Sequence, residues 1–187
     1  MQGSDEQTGN LSANQDVHAD SNTISLLIAK LAAKDGRERE KARWFLVAIG
    51  SPAVADLIEL LEARNEQVRW EAAKALADIA DPAAADALVK TLEDKVFDVR
   101  WLAAEGLIKL GQVGIVPLLK ALIERSDSPW LRIGVHHVLH DLVAGDLNLK
   151  ELAQPIIDSL EDAESVIETP LIAKAILDRL VSGQPGD

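Results

Sequence analysis

The sequence predicts an all-α fold, a right-handed α-solenoid of about five antiparallel helical pairs, on three observations. Apolar residues recur at i, i+3, i+4 and i+7 almost without interruption, and no stretch alternates with period two. Short Gly, Asp, Ser or Pro signals break that pattern at intervals of one helix. Two segments, "VRWEAAKAL" and "VRWLAAEGL", are near copies that set Arg69 and Arg100 31 residues apart.

The elements follow in order. "ISLLIAKLAA" is the first helix of the first pair, and Asp35 is placed to N-cap the second, which carries Arg39. "PAVADLIELLE" opens the second pair, with Asn65 before the helix of Arg69. "PAAADALVKTLE" opens the third; Val96 stands where its second helix needs a cap, so Asp94 or Asp98 is expected to compensate. "IVPLLKALIE" opens the fourth, and Ser128 with Pro129 at the first helical position starts the helix of Arg132. Gly50 and Gly111 are expected to end two second helices in left-handed backbone. "KELAQPIIDSLED" and "TPLIAKAILDRL" form a fifth pair in which Thr169 and Pro170 repeat the Ser128–Pro129 start. That pair lacks the arginine and follows a longer connection, "AGDLNL", as suits a terminal repeat that closes the exposed core.

Aligned on Arg39, Arg69, Arg100 and Arg132, the copies share apolar positions. Ala42, Ala72, Ala103 and Val135 come three residues later, Leu46, Leu76, Leu107 and Leu139 seven later, and Ile49, Ile79, Leu110 and Leu142 ten later. Residues 1–21 are polar and lack periodicity, which reads as a disordered arm; 22–181 is the repeat domain, and 182–187, "SGQPGD", a flexible tail.

Composition narrows the function classes. A 48% hydrophobic and 27% charged content is that of an ordinary soluble domain, no apolar run approaches the roughly 20 residues of a membrane span, and no signal peptide is evident. A cytoplasmic location is expected. With no cysteine there is no disulfide framework or thiolate metal site. The net charge of −12 disfavours nucleic acid and anionic membranes, both of which call for a basic stripe.

The succession of "DPAAADALVKTLED" and "DVRWLAAEGLIKLG" resembles the short HEAT-like repeats of the type also found in phycobilisome lyases, over roughly residues 22–181. The resemblance implies a protein-binding scaffold, with first helices on the convex side and second helices lining the concave side. A minority of such arrays are enzymes: bilin lyases, deoxyhypusine hydroxylase and some DNA glycosylases. The His-Glu dyads of the hydroxylases do not occur in this chain.

At about 100° per residue from each arginine, the apolar offsets cover one broad side of the second helix, and offsets +1, +5 and +8 fall opposite it at about 80° to 140°. Trp70 and Trp101 stand at +1 and Trp44 at +5, with Trp130 at −2 near about 160°, so all four tryptophans are expected to point away from the core into the groove. The same stripe holds Lys74, Glu105, Ile133, His137 and His140, together with Glu40, Val47, Ala77 and Ile108. Such a tryptophan serves as a partner anchor, as cover for the seam between repeats, or in self-association.

His136 with His140 and His137 with Asp141 are each one turn apart, a ligand spacing that still lacks a third donor, so no metal is expected. His136 is placed half in the core, with His137 and His140 on the groove. The arginines are read as structural, pairing with turn carbonyls or with acids such as Asp94. Glu59, Glu62, Asp86, Glu93, Glu161, Asp162 and Glu164 are read as a solvated convex face. No nucleotide loop, nucleophile elbow or zincin motif is present. The reading is a non-enzymatic protein–protein interaction module or scaffold that binds another protein or a peptide segment, without a cofactor, in a groove anchored by Trp44, Trp70, Trp101 and Trp130. The alternative is a bilin-lyase-like protein that handles a chromophore or small ligand.

Overall fold

One device starts five of the helices: a polar residue in extended backbone whose side chain accepts an N–H from the first turn. Asp20 accepts from Thr23 at 2.7 Å, Asp35 from Arg37 at 2.9 Å, Asn65 from Gln67 at 2.9 Å, Ser128 from Leu131 at 3.3 Å, and Asp146 from Asn148 at 3.0 Å. The computed structural model describes residues 20–144, 146–162 and 165–182. Apart from Asp20, Ser21 and Ser182, the arm read at 1–21 and the tail read at 182–187 lie outside the described residues, as does Glu164.

Ten α-helices occur among the described residues: α1 (Ser21–Lys30), α2 (Gly36–Ile49), α3 (Val54–Leu60), α4 (Glu66–Ile79), α5 (Ala85–Thr91), α6 (Phe97–Leu110), α7 (Ile115–Arg125), α8 (Pro129–Val143), α9 (Leu147–Glu161) and α10 (Thr169–Ser182). They form five successive pairs in two layers. In the second-helix layer α2 packs on α4, α4 on α6 and α6 on α8, with α5 against α7 in the other layer. The leucines aligned in the sequence, Leu46, Leu76, Leu107 and Leu139, are buried between the layers with Leu57, Leu88, Leu118 and Leu122. Gly106 brings α6 onto α4: a Cβ there would meet Leu88 Cδ1 at 2.9 Å and the Ala77 backbone at 3.3 Å.

Gly50 and Gly111 close α2 and α6 at positive φ, 73° and 63°, but with ψ of −135° and −134° rather than in the left-handed helical conformation expected; that conformation closes α4 instead, at Ala80, φ 52° and ψ 42°. At Val96 no side chain caps α6: Asp94 Oδ1 accepts the N–H of Val96 itself at 2.8 Å, which fixes the turn before the helix, and neither Asp94 nor Asp98 takes a first-turn N–H as expected. One helical stretch, Phe97–Arg125, is long and apolar enough by length and composition to cross a membrane, which the sequence reading did not anticipate. It comprises α6 and α7 with the positive-φ Gly111 between them, and each buries a leucine-rich side in the core.

Three of the four arginines repeat one role. Arg39 Nη1 donates to the Ala33 and Lys34 carbonyls at 2.9 and 3.1 Å, Arg69 Nη1 to those of Ala63 and Arg64 at 2.9 and 3.4 Å, and Arg100 Nη1 to that of Asp94 at 2.7 Å. Each thus satisfies carbonyls orphaned beyond the first helix of its own pair. Two of them also reach into the next pair: Arg39 Nε meets Glu71 at 3.2 Å, and Arg69 holds Asp94 at 2.6 and 3.0 Å through two nitrogens. The Asp94 contact raises the Arg69 pKa further.

The fifth pair is reversed. Its first helix, α9, lies against α8, and its second, α10, lies against α7, so the two exchange layers relative to the pairs before them. The junctions after α2, α4 and α6 each contain a 3-10 turn (Ser51–Ala53, Pro82–Ala84, Gly111–Gly114) that leads into the next first helix. Between α8 and α9 no such turn occurs among the described residues; residues 144–146 separate the two helices, and Asp146 caps α9. The connection read as longer is therefore short, and the chain doubles back along α8. Arg132 follows the reversal. Its Nη2 donates to the Ser159, Leu160 and Asp162 carbonyls at the end of α9, and its Nη1 to Thr169 Oγ1 at 3.0 Å.

Candidate docking face of the second-helix layer

Phe97 and Trp101 are one turn apart on α6, and their ring centroids stand 6.2 Å apart. The Arg100 guanidinium lies 3.9 Å above the centroid of Trp130, which α8 contributes, and 5.7 Å from that of Phe97. Trp101 stacks on His137 of α8 at 4.8 Å with 26° between planes. His137 Nε2 is buried without a hydrogen-bond partner, and Glu105 Oε1 lies 3.8 Å from it, beyond hydrogen-bonding range.

These side chains wall a cavity of about 370 Å³ between α6 and α8, with Leu92, Ala104 and Gly134 also lining it. Gly134 permits the depth, since a Cβ there would come within 3.0 to 3.2 Å of the Leu92 side chain. Trp101 and Trp130 remain 46% and 48% exposed and Ile133 61% exposed. Across Ile133 a second cavity of about 480 Å³ lies between α8 and α9, lined by Asp127, Pro129, Arg132, His136, Leu160, Glu161 and Val166. Exposed aromatic and aliphatic side chains around a concavity are the physical make-up of a site that desolvates a partner's apolar group.

The residues expected to form one groove are only partly brought together. Trp101, Trp130, Ile133, His137 and Glu105 meet around α6 and α8. Trp44 is 66% exposed but stands on α2, two second helices away. Trp70 does not point free of the fold: it is half-buried against the core, and Arg43 of the preceding repeat lies 5.3 Å from its ring centroid. Arg43 and Arg39 both pair with the buried Glu71, which holds them over that seam. His137 is as covered as His136, because Trp101 leans on it; only His140 is exposed, beside a further cavity formed with α9. His136 Nε2 contacts Glu161 Oε1 at 3.2 Å, so Glu161 faces α8 rather than a solvated outer side. Phe97, Arg100, Leu160 and Val166 were missed as site residues, although Phe97 was detectable as the i−4 neighbour of Trp101. No group of three or more His, Asp or Glu able to hold a metal occurs among the described residues.

Lys74 is engaged within the layer. It and Lys109 converge on Asp78 at 2.6 and 2.8 Å. Burial acts to raise the Asp78 pKa, but the hydrogen bonds and charges of Lys109 and Lys74 outweigh it and hold the carboxyl below its usual 3.8. A lowered folded pKa adds stability above the usual value that is lost as pH falls through the folded one. Asp78→Asn should therefore melt about 1–3 °C below wild type near neutral pH, with the difference vanishing well below the usual carboxylate pKa. A gap that persists in acid would assign the effect to packing.

A family model for HEAT repeats matches residues 24–108 and again 54–140. Among solved structures the chain is similar to a component of the complex of CpcE and CpcF of phycocyanin lyase from Nostoc sp. PCC7120, at 26% identity and a TM-score of 0.57, over 83% of this chain and 99% of that one. It is also similar, at 20% identity and a TM-score of 0.41, to a designed armadillo repeat protein in complex with the peptide (KR)4, over 82% of this chain and 81% of that one. No curated protein matches the chain.

Proposed function

This chain belongs to the HEAT-repeat family, and we propose that it is a non-enzymatic interaction module whose second-helix layer binds a segment of another protein. One observation carries the reading: Trp101 and Trp130, half exposed on adjacent helices, open onto a shared cavity. A covered tryptophan buries about 150–250 Å², and such anchors contribute about 2 kcal/mol or more each. Trp101, Trp130 and Ile133 are the anchors, Glu105, His137 and His140 border them, and Trp44 and Lys74 extend the face toward the N-terminal repeats. The test is affinity capture from lysate with wild-type bait and with the Trp101→Ala/Trp130→Ala variant. A protein retained by the first and released by the second, with melting temperatures within about 3 °C, is the expected result. Equal retention by both would refute the site.

A second reading, the handling of a planar chromophore or small ligand, is favoured by the stacked Trp101–His137 pair and supported by the similarity to a phycocyanin lyase component. A change in visible absorbance when a linear tetrapyrrole is added to wild type, absent in Trp101→Ala, would favour it over a protein ligand.

A further inference from the structure

We infer that the two cavities on either side of Ile133 take a single basic amphipathic helix of a partner protein, crossing α8, with large apolar side chains at i and i+7 and lysines or arginines flanking them. The inference rests on the protein-binding reading above and narrows it to one class of partner.

The spacing argument comes from packing geometry. One cavity lies between α6 and α8 and the other between α8 and α9, and Ile133 lines both. Neighbouring packed helices stand about 8–10 Å apart, so the two cavities are separated by about that distance. On an α-helix the positions i and i+7 share a face and lie about 10.5 Å apart along the axis. A helix laid across α8 thus drops one apolar side chain on each side of the Ile133 ridge. Positions i and i+4 are only about 6 Å apart and span too little.

The charge argument comes from what surrounds the cavities. Asp98, Glu105, Asp127 and Glu161 are partly or fully exposed on α6, on α9 and before α8. The two cations that line the cavities are already engaged within the fold. Arg100 donates to the Asp94 carbonyl under Trp130, and Arg132 donates to Thr169 and to the carbonyls ending α9. A bound segment therefore meets carboxylates at the rim. A second copy of the chain, with its net charge of −12, is a poor occupant, and so are residues 1–19, which carry Asp5, Glu6 and Asp16 and no lysine or arginine.

The test uses the full chain and synthetic peptides of about 18 residues, long enough to be helical. The first is rich in Ala and Lys with leucines at i and i+7; the second moves one leucine to i+5, about 140° around the helix; the third keeps i and i+7 but replaces Lys by Glu. None contains tryptophan, so the protein's own emission reports binding, and loss of the change in Trp101→Ala/Trp130→Ala assigns it to those two of the four tryptophans. The first peptide is expected to bind at least about tenfold more tightly than either of the others and to weaken as salt is raised. Ile133→Lys, at a largely exposed position, is expected to weaken it by a similar factor while leaving the melting temperature in place. Equal binding of the i+5 isomer, or equal or tighter binding of the acidic peptide, overturns the inference while leaving a protein-binding face intact. If no peptide changes the emission, the inference fails; if, in addition, Trp101→Ala/Trp130→Ala releases nothing in the capture experiment, the broader reading fails with it.

Discussion

Arg69→Ala should destabilise the protein by about 3–5 kcal/mol and lower the melting temperature by on the order of 10 °C, measured by helical circular dichroism at neutral pH. Arg69 is only 5% exposed. Its guanidinium satisfies two carbonyls after α3 and both oxygens of Asp94 after α5, so it ties one helical pair to the next. Truncation strands a half-buried carboxylate and leaves backbone acceptors without a donor, and water reaches neither freely. Arg100→Ala is the control: its guanidinium makes one backbone hydrogen bond and lies between two exposed rings, so a smaller loss is expected. Equal losses for the two would mean that the cross-repeat pair with Asp94 contributes nothing.

Trp70→Ala should cost about 2 kcal/mol of stability, several degrees of melting temperature, whereas Trp101→Ala should cost little stability. The two occupy equivalent places in the repeat, one residue after the arginine, yet their surroundings differ. Trp70 packs against the core under Arg43, which Glu71 holds in place, so its removal opens a gap in the seam between α2 and α4. Trp101 leans on His137 and lies beside Phe97, and it remains 46% exposed with no cation of a neighbouring repeat over it among the described residues. Melting curves of the two single variants decide the matter. A larger loss for Trp101 would reverse the assignment of cover and anchor.

The contrast between these two tryptophans shows how far sequence reading reached. Arg39, Arg69, Arg100 and Arg132, the caps at Asp35, Asn65 and Ser128 and the buried leucines were legible because each depends on spacing along a single helix. Projection around a helix axis also placed Trp101 and Trp130 correctly on the open side. It says nothing about which neighbour leans over a side chain, and so it missed Arg43 above Trp70 and Trp101 on His137. The reversal of the last pair was hidden for a related reason. "AGDLNL" looks like a loop until Asp146 is seen to cap α9 within it, and a short linker without a 3-10 turn then has little choice but to fold back on α8. Once Glu161 arrives beside His136 through that reversal, the second cavity exists, and no local pattern in α8 or α9 announces it.

The reversed pair also gives the array a direction of growth. A copied unit of about 31 residues brings with it the 3-10 junction and the arginine that suit a neighbour of the same orientation. Such a unit fits anywhere among the first four pairs. Across the α8–α9 junction it meets exchanged layers and, among the described residues, no 3-10 turn. Duplication of such a unit therefore suits the part of the array ahead of α9. Each added unit would extend the layer upstream and carry Trp44 farther from α8, while α8 and α9 keep their mutual setting around Ile133.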